Sequence, residues 1–195
     1  MPDRIDYAFI AAREGALRLD GYVPDARFSR SGVTIATGFD LGQRHRIDLL
    51  ALGLPARLID QLDPYLGVTR QDARTLLAEK PLRITMADAL LINSAFKARF
   101  VARLAHDYGA SVLNRDGIAF FDLPAEAQTT IASVAFQYGD LATAAPRFWR
   151  TVCLQDWRAA VTELRAFGDR YPTRRNLEAD LLSRLLETPA VEAAR

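Results

Sequence analysis

Cysteine is all but missing from this chain. Cys153 stands alone, so no intramolecular disulfide can form. It lies in the run Trp149, Val152, Leu154, which marks a packed core thiol rather than a nucleophile. Histidine is equally scarce. His45 and His106 are far apart and have no Cys or His partner at metal-ligand spacing, so no zinc site is read and no cofactor is expected. No apolar run approaches the ~20 residues of a membrane span. The opening Met1-Pro2-Asp3-Arg4-Ile5-Asp6 has early acids and no apolar h-region, so no secretory signal is read. Lysine is rare too: of 25 basic residues only Lys80 and Lys97 are lysines, leaving 23 arginines. A GC-rich bacterial genome accounts for that bias better than selection for guanidinium chemistry. The net charge of +1 gives no footprint for nucleic acid, and none is expected as a partner.

What is present is ordinary for a globular protein: half the residues are hydrophobic and a quarter charged in a chain of 195. That length fits one domain, or one domain pinched into two lobes. Ile5, Ala8, Phe9 and Ala12 recur at helical spacing, predicting a helix over residues 4–14. Glycines 21, 32, 38 and 42, with Pro24, then punctuate short β-prone pieces such as Gly32-Val33-Thr34-Ile35. They predict a small hairpin sheet, a lobe of about 15–45. From residue 46 to 188 the pattern is helical. Thr69 with Asp72, and Thr85 with Asp88, resemble capping boxes, and Pro124 fits a first helical position. Three stripes read as core: Ile131, Val134, Ala135, Tyr138; Trp157, Val161, Leu164, Phe167; and Leu177, Leu181, Leu182, Leu185. Residues 189–195 read as a tail that frays. The fold class is therefore α+β, with a small lobe holding one helix and the hairpin sheet, a larger helical lobe and a cleft between them.

Chemistry points to the stretch from Arg13-Glu14-Gly15 to Asp40. A carboxylate at a helix C-terminus meets the negative end of the macrodipole, which raises its pKa, as does partial burial. An acid still protonated near neutral pH is what general-acid cleavage of a glycosidic bond requires, with a second carboxylate across the bond in most families. Glu14 is the first candidate. Asp20, Asp25 and Asp40 are candidates for the second role. A surface glutamate near a helix end is also commonplace, and Asp40 has a plain alternative as the cap of the turn at Leu41-Gly42.

Glu14-Gly15-Ala16-Leu17-Arg18-Leu19, followed by Tyr22, resembles the opening segment of phage lysozymes. Ser31-Gly32-Val33-Thr34-Ile35-Ala36-Thr37-Gly38-Phe39-Asp40-Leu41-Gly42 is similar to an element of the pesticin-like toxins. Phage lysozymes carry a His where this chain has Phe39, so the pesticin branch is the closer match. Ala132-Ser133-Val134-Ala135-Phe136-Gln137-Tyr138-Gly139, Asp156-Trp157-Arg158-Ala159-Ala160-Val161 and Tyr171-Pro172-Thr173-Arg174-Arg175-Asn176 resemble later segments in the same order. The resemblance implies a lysozyme-like muramidase acting on the β-1,4 bond between N-acetylmuramic acid and N-acetylglucosamine, with inversion. It implies Glu14 as the general acid, with Thr34 and Asp40 holding the attacking water. Asp25 is the alternative second carboxylate, as phage lysozymes place an aspartate in that loop. Gln137 and Tyr22 are the implied substrate contacts, against Gln137 as a buried amide satisfied by backbone. Arg174 and Arg175 read as ties for the last helix, and Trp149 and Trp157 as core. The family has Gly where this chain has Ala36; in an extended strand alanine is harmless, and that is the reading taken here.

Bacterial peptidoglycan is the implied partner of a monomeric enzyme made in the cytoplasm. It would reach the wall as an injected or exported effector with an immunity protein, or as a phage-type endolysin. Two rivals stand beside this reading: a lytic transglycosylase, and a lysozyme-fold module that binds peptidoglycan or a protein without chemistry.

Overall fold

The computed structural model describes residues 3–13, 15–24 and 30–187. Helix α1 spans Tyr7–Ala11, strands β1, β2 and β3 span Arg18–Tyr22, Thr34–Ala36 and Phe39–Asp40, and helices follow. These are α2 Arg46–Ala51, α3 Ala56–Leu62, α4 Arg70–Glu79, α5 Met86–Ala110, α6 Ala125–Tyr138, α7 Leu141–Ala144, α8 Pro146–Cys153, α9 Trp157–Arg165 and α10 Pro172–Glu187. A three-stranded antiparallel sheet beside many helices is the expected α+β class.

Two compact units divide the chain, and the division differs from the expected lobes. One unit is residues 14–99; the other joins the segment before residue 14 to residues 100 onward, so the division falls within α5. The hairpin is not a lobe of its own. Strands of five, three and two residues are too short to bury a core by themselves. Val33, Ile35 and Phe39 instead share one apolar cluster with Leu49 of α2, Leu58 and Ile59 of α3 and Ile92 of α5.

Helix α6 is the axis of the second unit: every residue from Ala127 to Ala135 is buried. Its apolar positions pack with Ile10, Tyr108, Phe148, Leu164 and Leu182. Its buried polar positions stitch the N-terminal segment on. Gln128 Oε1 accepts from Arg4 N at 3.0 Å, and Thr129 Oγ1 accepts from Asp6 N at 2.9 Å. These bonds explain why α1 belongs with the C-terminal helices and not, as expected, in a small lobe with the hairpin. They also fix its facing: Ile5 and Ile10 are core, whereas Ala8 and Ala12, expected on the apolar stripe, are exposed. The helix is three residues shorter at each end than the pattern suggested, with Ala12 as its C-cap.

Most other expectations of local structure survive, with three changes. Thr85 Oγ1 accepts from Asp88 N at 3.1 Å and donates to Asp88 Oδ2 at 2.7 Å, so α5 starts as expected. Arg57 closes on both Asp88 oxygens at 2.6 and 3.2 Å and, with Thr85, holds that carboxyl below the usual range. Thr69 is the N-cap of α4 but makes no side-chain cap bond. There the backbone is engaged elsewhere: Thr69 bridges to Gly32, and Arg70 N donates to Ser31 O at 2.9 Å. Pro124 is the N-cap of α6 rather than its first helical residue. Leu177 of the last stripe is 41% exposed, while Leu181 and Leu182 are buried. The α10 face is instead occupied at its start by charge. Glu178 and Arg175 are buried, and Glu178 accepts from Ser133 Oγ and from Arg174 Nε at 3.1 Å and pairs with Arg175 Nη1. Arg174 Nη2 also donates to Ser133 O at 2.8 Å, so the two arginines do tie α10 to α6. Trp149 is buried, edge-on to Tyr108, and burial pushes the Cys153 thiol up.

Ala36 is a correction. It is fully buried with φ at +50°, not in the extended conformation expected. The left-handed region costs a residue with a Cβ about 1–2 kcal/mol. Glycine would lose about 0.5–1 kcal/mol of that gain to chain entropy. Losing the buried methyl costs glycine a further ~0.8 kcal/mol, so Ala36→Gly is expected to leave the melting temperature within about 2 °C of wild type in calorimetry, and a fall of more than about 4 °C would contradict the strain. Glu178→Ala is expected to lower stability by about 3 kcal/mol in urea unfolding, because it takes the carboxylate from Arg175 Nη1 and Arg174 Nε and leaves Asp169, 2.9 Å from Arg175 Nε, as the remaining counter-ion; a loss below about 1 kcal/mol would mean that water reaches the cluster.

Candidate functional site

Three of the candidate residues lie in one row across the sheet. Tyr22 of β1 is the register partner of Thr34 of β2, and Thr34 is the partner of Asp40 of β3. Directly paired residues project on one face, so a phenol, a hydroxyl and a carboxylate are neighbours there. A register irregularity in β1 between Arg18 and Tyr22 brings Tyr22 into this row. One face of the Tyr22 ring is covered by the Arg18 guanidinium at 4.3 Å.

Gly32 is gripped by both of the polar side chains. Asp40 Oδ1 accepts from Gly32 N at 3.0 Å and from Gly42 N at 2.9 Å. Thr34 Oγ1 donates to Gly32 O at 3.2 Å. A Cβ on Gly42 would sit 2.6 Å from Gly32 Cα, so glycine at both positions lets the two backbones touch. Asp40 does cap the turn at Leu41-Gly42, as its structural alternative supposed. The cap uses one oxygen only: among the described residues Oδ2 has no hydrogen-bond partner. Thr34 is 2% exposed and its proton serves Gly32, so it offers a ligand its lone pairs rather than its hydrogen.

The end of the hairpin is held from α5. Asn93 Nδ2 donates to Thr37 Oγ1 at 2.9 Å, and Asn93 Oδ1 accepts from Thr37 N at 3.3 Å. Phe96, one turn further along α5, meets the Phe39 ring edge-on at 5.9 Å. The Arg44 guanidinium lies 5.2 and 5.3 Å from those two rings. Sequence reasoning passed over Asn93. Its one signal is a poor helix former set directly after the apolar run Ala89-Leu90-Leu91-Ile92.

The remaining candidates do not join this row. Glu14 and Asp25 lie outside the described residues. Asp20 is committed to Arg83 at 2.8 Å on an exposed bridge. Gln137 belongs to the other unit, where its Oε1 accepts from Arg175 Nη2, so a guanidinium rather than backbone satisfies it. Among the described residues no group of three or more His, Cys, Asp or Glu is placed to hold a metal ion. No helix among them is long and apolar enough to cross a membrane.

Comparison with curated proteins gives no match. Residues 4–158 match the Pesticin family, described as a bacterial toxin homologue of phage lysozyme, C-term. The matched span contains the hairpin, its glycine contact and α6, while the Tyr171–Asn176 resemblance lies beyond it. Since the match takes in well over half of the chain's 195 residues, this protein belongs to the Pesticin family of phage-lysozyme homologues.

Proposed function

We propose that this protein is a muramidase that hydrolyses the bond between N-acetylmuramic acid and N-acetylglucosamine in bacterial peptidoglycan. The observation that carries the reading is the cross-strand row of Tyr22, Thr34 and Asp40, with Asp40 Oδ2 left without a partner among the described residues. Family membership supports the class of chemistry.

In this mechanism Glu14 gives its proton to the leaving glycosidic oxygen. A water held by Asp40 Oδ2 and the lone pairs of Thr34 attacks the anomeric carbon from the opposite face. Asp40 takes that water's proton and then releases it to solvent, the configuration inverts, and solvent reprotonates Glu14. Tyr22 presents its phenol beside the same row and contacts the sugar. Division of labour between the Asp40 oxygens is central. Oδ1 is spent on two backbone N–H groups, which fix the carboxylate, and Oδ2 remains as the base. The family's description as a toxin homologue favours an antibacterial effector, with an immunity protein in its producer, over an endolysin.

Purified peptidoglycan incubated with the protein, followed by mass spectrometry of soluble products, tests this reading. Wild type is expected to release reducing muropeptides, and Glu14→Gln to lose turnover by about 10²-fold or more. Asp40→Asn keeps an oxygen for the Gly32 and Gly42 N–H groups but removes the base. Its turnover should therefore fall while its melting temperature stays near that of wild type. Anhydromuropeptides would replace hydrolysis by a lytic transglycosylase. Binding to the wall without any soluble product would leave a non-catalytic module.

A further inference from the structure

The turn that joins β2 to β3 combines two features that oppose each other. Register pairs Thr34 with Asp40 and Ile35 with Phe39, so Ala36, Thr37 and Gly38 make the bend. Ala36 has φ at +50° and Gly38 at +83°. Glycine takes such a conformation at no steric cost, but the buried alanine does not. A strained residue persists only where its surroundings over-determine it. The group that does so is one residue away. Asn93 holds Thr37 by its backbone N–H and by its hydroxyl at once. Three residues on, Phe96 holds Phe39 on the strand that leaves the turn.

We propose that Asn93 is a positioning residue of the reaction, acting through Thr37 on the register of Thr34 and Asp40. It touches neither of them. Its amide keeps the strained turn closed, and with the turn closed the two reacting side chains stay opposite each other. Opening of the turn would allow the short strands to slip, and a slip of one residue turns a side chain to the other face of the sheet. With strands of three and two residues, the pairing is held at its open end by the Gly32 contacts and at its turn end by Asn93. This inference rests on the hydrolase reading of Thr34 and Asp40.

A rescue experiment tests it. Muropeptide release is measured, well below the melting transition, for wild type, Asn93→Ala, Ala36→Gly and the double variant. Asn93→Ala is expected to lower kcat on the order of tenfold or more with KM changed less than about twofold, since small misplacements of reacting groups are that costly. Ala36→Gly in the same chain is expected to restore most of that loss, because glycine closes the turn without the clamp. A purely structural Asn93 would lower the melting temperature while leaving kcat of the folded enzyme at the wild-type value, and that result overturns the proposal. So does a double variant no faster than Asn93→Ala. Should Asn93→Ala fail to fold, Thr37→Val removes the hydroxyl half of the clamp without touching α5. A smaller fall in kcat is expected, and an unchanged kcat would again overturn the role. Active wild type with unaffected Asn93 variants refutes the positioning role alone. Wild type that releases no muropeptides refutes the hydrolase reading, and the positioning role with it.

Discussion

Everything proposed for the hairpin depends on one glycine. Gly32 gives its N–H to Asp40, takes the hydroxyl proton of Thr34 on its carbonyl, and lies against the backbone of Gly42. Each contact requires the others. The carboxylate spans Gly32 and Gly42 only because no Cβ separates them, and Thr34 reaches the Gly32 carbonyl because the strand beside it is fixed. A buried backbone donor left unpaired costs as much as a lost hydrogen bond, so the knot also settles two N–H groups of an irregular segment. Its neighbours are placed by it. Ser31, next in chain, accepts from Arg70 N, and Thr69 bridges to Gly32, which anchors the start of α4 against the same loop.

The other unit is organised by a helix rather than a turn. Nine successive buried residues make α6 a helix with no solvent face over that stretch, yet four of them are polar. Each of the four is assigned. Gln128 and Thr129 accept from the N-terminal segment, and Thr130 and Ser133 bond to Glu178 of α10. Polar groups in such a helix are tolerable only when paired. Their partners come from opposite ends of the chain, so this unit cannot complete its hydrogen bonding until both termini have reached α6.

Legibility followed periodicity and composition. The hairpin was visible because glycines and β-branched residues alternate between 18 and 42, and the α6 stripe because Ile131, Val134 and Ala135 recur at helical spacing. Where tertiary contacts overrode local pattern, the pattern misled. Ala8 and Ala12 fit an apolar face, but Asp6 is pinned to Thr129 and turns Ile10 inward instead. Leu177 fits a stripe whose neighbouring positions were taken by the buried pair Arg175 and Glu178. Gln137 fitted a substrate contact through the resemblance, and nothing local announced that Arg175 would take its oxygen. Asp40 was one of three candidate carboxylates before the resemblance singled it out, and its bond to Gly42 followed from the turn it could cap; only geometry showed its bond to Gly32.

Ala36 shows why a residue can be right for the fold and costly at its own position. An extended alanine would have spared the backbone, but it would not have turned the chain between Ile35 and Phe39 in three residues. The left-handed conformation provides the turn, and the full burial of the methyl group against the Val33, Ile35 and Leu41 cluster returns part of the cost. Glycine at this position would provide the same turn without that methyl contact and with more freedom in the unfolded chain. A chain that keeps alanine there must hold the turn by other means. Thr37, the first residue after it, is the one bonded twice to Asn93. The strain and the clamp are thus adjacent in sequence and opposite in sign, which is how a short hairpin can keep a defined register without the length that ordinarily supplies it.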